Sequence, residues 1–191
     1  MTMDQSASST SNAASTADTH PTADSRGADI GLLVLRVGVG AAILQAGLIK
    51  ALDFSSTTQF MAEGGWRLPT FAAFMLAAAE TLGGIGLLLG AFTPLAACAV
   101  VSTMLCAWAV NVSGAAFWAQ PFNAAFLIGI GAAALLFAGA GAYSVDRLVF
   151  KRRSWPPRLA VALFVVSVAA AVITWVALYG VNPIHFTTPP A

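Results

Sequence analysis

Charge is what this chain is short of. Only 9% of its 191 residues are Asp, Glu, Lys or Arg, and 58% are hydrophobic, where soluble domains carry about 25% charged and 45–50% apolar residues. So little charge cannot cover a water-facing surface, and lipid is the expected solvent. The net charge of +1 does not by itself bear on nucleic acid, because the placement of the charges matters more. No nucleic-acid partner is expected.

Cysteine and histidine are equally scarce, with two of each. Cys98 and Cys106 lie in one apolar segment. Along a helix that spacing is roughly 12 Å of rise and about 80° of rotation, too far for a disulfide, whose Cα atoms lie within about 7 Å. They read as buried, inert thiols. His20 and His185 fall in opposite tails and cannot meet in a metal site. There is no HExxH, no CxxC and no nucleophile elbow, so no metal is expected and no catalytic residue can be assigned. The glycines of "GGIG", Gly83 to Gly86, lie inside an apolar span with no strand before them, which excludes a nucleotide loop.

What the chain does have is long hydrophobic runs. Residues 1–28 are rich in Ser, Thr, Ala and Asp, bury nothing and are expected to be a disordered tail. That tail lacks the basic start and apolar core of a signal peptide. Five apolar segments follow: Ile30–Leu52, Pro69–Gly90, Pro94–Val112, Pro121–Ala138 and Leu159–Tyr179. About 20 helical residues cross a hydrocarbon core of about 30 Å, and backbone in lipid must satisfy its own hydrogen bonds. The fold class expected is an all-α membrane protein, a four-helix transmembrane bundle plus a fifth, C-terminal transmembrane helix.

Arg147, Lys151, Arg152, Arg153 and Arg158 crowd the connection between the last two segments. The excess of Lys and Arg in cytoplasmic loops then puts the N-terminus inside and the C-terminus outside. The same segment is otherwise suited to anionic lipid or a partner. The expected division is a cytoplasmic tail over 1–28, a membrane core over 29–150, and over 151–191 a basic cytoplasmic segment, the fifth helix and a short outer tail.

Against this background Arg36, inside the first span, demands a partner. Helical spacing puts it on one face with Gly40, Gly47 and Lys50, and puts Glu80 of the second span on a face with Ala73, Ala77 and Gly84. Counting from the helix ends places Arg36 roughly 9 Å and Glu80 roughly 15 Å deep, so an Arg36–Glu80 pair is expected, either a binding site or a structural lock. Gln45, Lys50, Asn111 and Asn123 form an expected second polar layer toward the other face. Asp53, Glu63, Trp66 and Arg67 lie in the first outer loop, where they either gate a cavity or simply solvate the loop.

The stretches "LRVGVGAAILQAGLIKAL", "LPTFAAFMLAAAETLGGIGLLLGAFTPLAA" and "GAGAYSVDRLV", taken in order, resemble the DoxX family of small bacterial membrane proteins. The resemblance runs from about Leu32 to Val149. It implies a four-helix core formed by the first four spans, with the last helix an addition. It also implies a place in the bacterial plasma membrane beside other membrane or redox proteins, since relatives include a subunit of a thiosulfate:quinone oxidoreductase and others are linked to thiol-redox and oxidative-stress assemblies. On that reading the chain is an accessory subunit of a quinone-linked redox or respiratory assembly, non-catalytic, with quinone as the candidate cofactor. The family often has histidine where this chain has Gln45, so no haem or metal role follows from that position. The rival readings are a small-solute permease binding at Arg36 and Glu80, alone or as a homo-oligomer, and a purely structural subunit.

Overall fold

The computed structural model describes residues 23–187. The expected disordered tail lies outside the described residues over 1–22, but residues 23–28 are already helical. Helix α1 runs Ala23–Leu52, longer at its start than hydropathy alone suggests. Asp29 explains the extension, for its carboxylate accepts from the N–H of Ala142 at 2.8 Å and pairs with Arg153 at 3.4 Å. These contacts tie the first turns to the segment that follows the fourth span.

A short helix, α2 (Phe54–Glu63), occupies what reads from sequence as a loop. Asp53 caps it, accepting from the N–H of Ser56 at 3.2 Å. Hydrogen bonds from Ser56, side chain first and backbone next, and from Ser55 hold the Asp53 carboxyl below the usual carboxylate range. One face of α2 buries Thr57 and Met61. Helix α3 (Pro69–Leu89) and helix α4 (Thr93–Ser113) both open with proline in the first turn, where its missing N–H costs least. A 3-10 turn, Phe117–Ala119, leads to α5 (Ala124–Ala138); the five-residue α6 (Val145–Val149) and the long α7 (Pro157–Leu178) complete the chain.

Among the described residues four helices, the first, third, fourth and seventh, are long and apolar enough to cross a bilayer. The expected fourth span is shorter than the rest: α5 has 15 residues, roughly 22 Å. It still traverses the bundle. Its start lies beside Pro121, whose carbonyl accepts from the indole of Trp108 at 2.9 Å, and its end leads to Ala140, beside Arg36. Non-helical backbone over 139–144, with left-handed turns at Gly139 and Gly141, then leads into α6.

The tightest packing is between α1 and α3. A Cβ added at Gly84 would stand 2.6 Å from the Leu44 nitrogen, and one at Gly47 2.5 Å from the Thr81 nitrogen. The two backbones therefore touch, as small residues allow in lipid, where helix association depends on packing. Ile43, Leu87, Val100 and Leu135 are fully buried between these helices, α4 and α5.

Candidate functional site

The register set by the glycines corrects the expected ion pair. Gly40 meets Leu88, Leu44 meets Gly84 and Gly47 meets Thr81. Arg36 then lies level with the turn at Gly90, and Glu80, ten residues before that turn on α3, lies level with Gly47. The separation is roughly 15 Å, and the two charges do not meet. Counting depth from the helix ends takes the start of α1 and the end of α3 as level, whereas α1 starts at Ala23 and projects well past Gly90.

Arg36 is buried at the end of the bundle that carries the basic segment. Its Nη1 donates to the carbonyl of Ala140 at 3.0 Å and its Nη2 to the carbonyl of Tyr143. These belong to the non-helical backbone after α5, which has no ladder of its own, so the guanidinium supplies the donors that the helix no longer provides. Asp146, also buried, accepts from the N–H groups of Phe92 and Thr93 at 2.8 and 3.0 Å, closing the start of α4. Gly90 gives the guanidinium its room: at φ 63° it is left-handed, and a Cβ there would stand 2.0 Å from Nη1. Arg36, Asp146 and the "GAGAYSVD" backbone are one clamp on the loops at this end.

Glu80 finds its partner in Lys50, with Nζ 2.7 Å from Oε2. The ammonium also donates to the carbonyl of Ala46 at 3.3 Å. The carboxylate is almost wholly enclosed, its side chain 3% exposed, while the lysine side chain is 29% exposed. Both line a cavity of about 470 Å³. Its floor is α4, from Leu95 to Asn111; its walls are α3 (Met75, Ala79) and α7 (Ala170, Thr174); Phe60, Met61 and Trp66 cover the end nearest α2. The walls pack on α4 but barely on each other, which is why a groove lies between them. At the α2 end, Arg67 holds α7 through its N–H to the carbonyl of Leu178 at 2.8 Å and its Nη1 to that of Ala177 at 3.3 Å. Trp66 closes a three-ring cluster with Trp175 and Tyr179, centroids 4.5 to 6.2 Å apart.

The remaining expected residues scatter. Asn111 lines the cavity. Asn123 instead caps α5, accepting from the Phe126 N–H at 3.1 Å. Gln45 is on the exposed face of α1 and does not line the cavity, so the second polar layer does not assemble. Sequence reading passed over Ser102, Thr103 and both cysteines as site residues, yet all four line the cavity. Cys98 and Cys106 donate to the carbonyls of Leu163 and Ala171 at 3.4 and 3.6 Å, pinning α4 to α7, which runs parallel to it. The equal eight-residue steps, Cys98 to Cys106 and Leu163 to Ala171, are the signal that only a known helix pairing makes readable. Among the described residues no group of three His, Cys, Asp or Glu side chains could hold a metal.

These features define an α-helical, multi-pass membrane protein with an ion pair set into a groove between its helices. Residues 31–114 match the DoxX family model, and that segment is similar to the DoxX family. The match spans most of α1 and the whole of α2, α3 and α4, and so holds both Lys50 and Glu80, but it stops short of the Asp146 clamp. No curated protein and no solved structure matches the chain.

Proposed function

We propose that this DoxX-like protein is a non-catalytic subunit of a quinone-linked redox assembly in a bacterial plasma membrane, with its basic end and N-terminus cytoplasmic. The observation that carries this reading is the groove: about 470 Å³, lined chiefly by apolar side chains and holding one charged pair. Small-molecule sites are typically of this size and kind, with few polar groups fixing orientation. Ala79, Ala107 and Met75 offer apolar surface to a quinone ring, and the Lys50–Glu80 pair offers a donor to the carbonyl of the quinone and an acceptor to the hydroxyl of its reduced, quinol form. A bound quinone would carry electrons between a partner's redox centre and the membrane pool. The residues of this chain hold and orient the ring and keep water from it.

The test is copurification. A tagged chain solubilised from its own host in mild detergent is expected to bring larger membrane or redox proteins with it, and solvent extraction of the complex to yield quinone in near-equal amount. A chain that emerges alone or as a homo-oligomer, with no quinone, refutes the proposal and favours the permease reading. Partners without quinone would leave a purely structural subunit.

A further inference from the structure

We infer that the groove selects an uncharged amphiphile whose polar head both accepts and donates a hydrogen bond, as an alcohol or phenol does. The inference rests on reading the groove as a ligand site, but not on the ligand's being a quinone.

The hydrogen-bond inventory of the pair sets the head group. An ammonium has three N–H donors. Those of Lys50 serve the Ala46 carbonyl and Glu80 Oε2, which leaves one, on a side chain that reaches the groove. The other oxygen of Glu80, Oε1, accepts nothing from the described residues, and it is not among the fully enclosed unpartnered atoms. The pair thus leaves one donor and one acceptor for a ligand in the groove that both residues line. A hydroxyl placed between them satisfies both; an ether or ester satisfies only the lysine.

Charge sets the second condition. Lys50 and Glu80 cancel, and a third charge in this low-dielectric setting would be buried without a counter-ion, which is costly. The shape of the groove sets the third. It extends along α4 from Leu95 to Asn111, roughly 24 Å. Beyond the pair, toward Leu95, its floor is Ala99, Cys98 and Leu95 itself, which is apolar and suits a tail. Its exposed rims, Met75 and Leu95, give that tail a lateral way in from the bilayer.

The two thiols on the floor make the groove testable without any assay of activity. The protein, reconstituted in phosphatidylcholine nanodiscs, is alkylated with N-ethylmaleimide, and modification of Cys98 and Cys106 is followed by intact mass. Three additives are compared: 4-decylphenol, 4-decylanisole, which lacks only the donor, and decanoate. At about ten times its dissociation constant the phenol should slow labelling about tenfold, because only the free fraction reacts. Anisole and decanoate should protect far less, and Glu80→Gln, which keeps the shape but removes the charge, should narrow the gap between phenol and anisole. Equal protection by all three would show a groove that merely takes acyl chains, and would overturn the inference. So would strongest protection by decanoate, or no protection by any. Phenol-selective protection in a chain that copurifies without quinone would sink the redox proposal and leave this inference standing.

Discussion

Replacing Arg36 by leucine tests whether the charge in the first span is a clamp on the loops or half of an ion pair with Glu80. The side chain is 2% exposed and satisfies two carbonyls from more than a hundred residues away. Removing it strands the carbonyl of Ala140, a residue that is itself 2% exposed. An unpaired buried acceptor costs about 1–3 kcal/mol. Tyr143 is half exposed, so its carbonyl can recover part of its loss from water. The total expected is about 2–4 kcal/mol. Arg36→Lys, which keeps the charge but reaches one carbonyl, should lose about half as much. The assay is reversible unfolding in mixed micelles titrated with SDS, followed by tryptophan fluorescence. The same titration on Glu80→Leu and on the double variant completes a cycle. Because the two side chains sit roughly 15 Å apart along the helices, their effects should add to within about 0.5 kcal/mol. A cycle of Lys50 with Glu80 should instead show coupling. Coupling of more than about 1 kcal/mol between positions 36 and 80, or an Arg36→Leu variant as stable as the parent, would refute the assignment.

Gly84→Ala should cost about 1–3 kcal/mol in the same titration, since the new methyl meets the Leu44 backbone rather than a side chain that can turn away; Gly38→Ala, with nothing within 4 Å of the new atom, is the control that should be neutral. Asp53→Ala removes the cap of α2 and should speed alkylation of Cys106, because Phe60 and Met61 on that helix cover the groove. The carboxyl of Asp53 is held low, so its contribution is complete above the usual carboxylate range and disappears as pH falls through the lowered value; the acceleration should therefore appear in the parent only in acid. A reporter active only outside the cytoplasm, fused after Ala191, should be active, and a cytoplasmic one silent; the reverse would mean that α5 does not cross.

The helical nature of the fold was legible because lipid imposes it: hydropathy alone located every long span, and prolines marked the starts of α3 and α4. Boundaries were less legible where tertiary contacts move them. Asp29 extends α1 by bonding to Ala142, and Asn123 shortens α5 by capping it at Ala124. The charged residues of the site were all visible, but their pairing was not. The correct clue, Lys50 on one face with Gly47, was present in the spacing; what was missing was the stagger between α1 and α3, which depends on backbone contact at Gly40, Gly47 and Gly84. The groove itself could not be read at all, because it exists only through the divergence of α3 and α7 over α4.

The partners of Arg36 also fix an order of events in the making of the protein. Its two carbonyls lie 104 and 107 residues further along the chain. At a synthesis rate of about 5–20 residues per second, they follow about 5–20 s after the arginine itself. The first helix must therefore enter the bilayer carrying a guanidinium with no lasting partner, at a cost of up to about 2.5–3.5 kcal/mol on insertion scales. The rest of α1 has to outweigh that charge unaided, and an 18-residue stretch of the helix that includes Arg36 still has a mean hydropathy of 2.0. Until the backbone after α5 arrives, the nascent bundle holds a cation searching for carbonyls, which makes the interval before Ala140 and Tyr143 emerge the point in biogenesis at which this chain is most open to quality control.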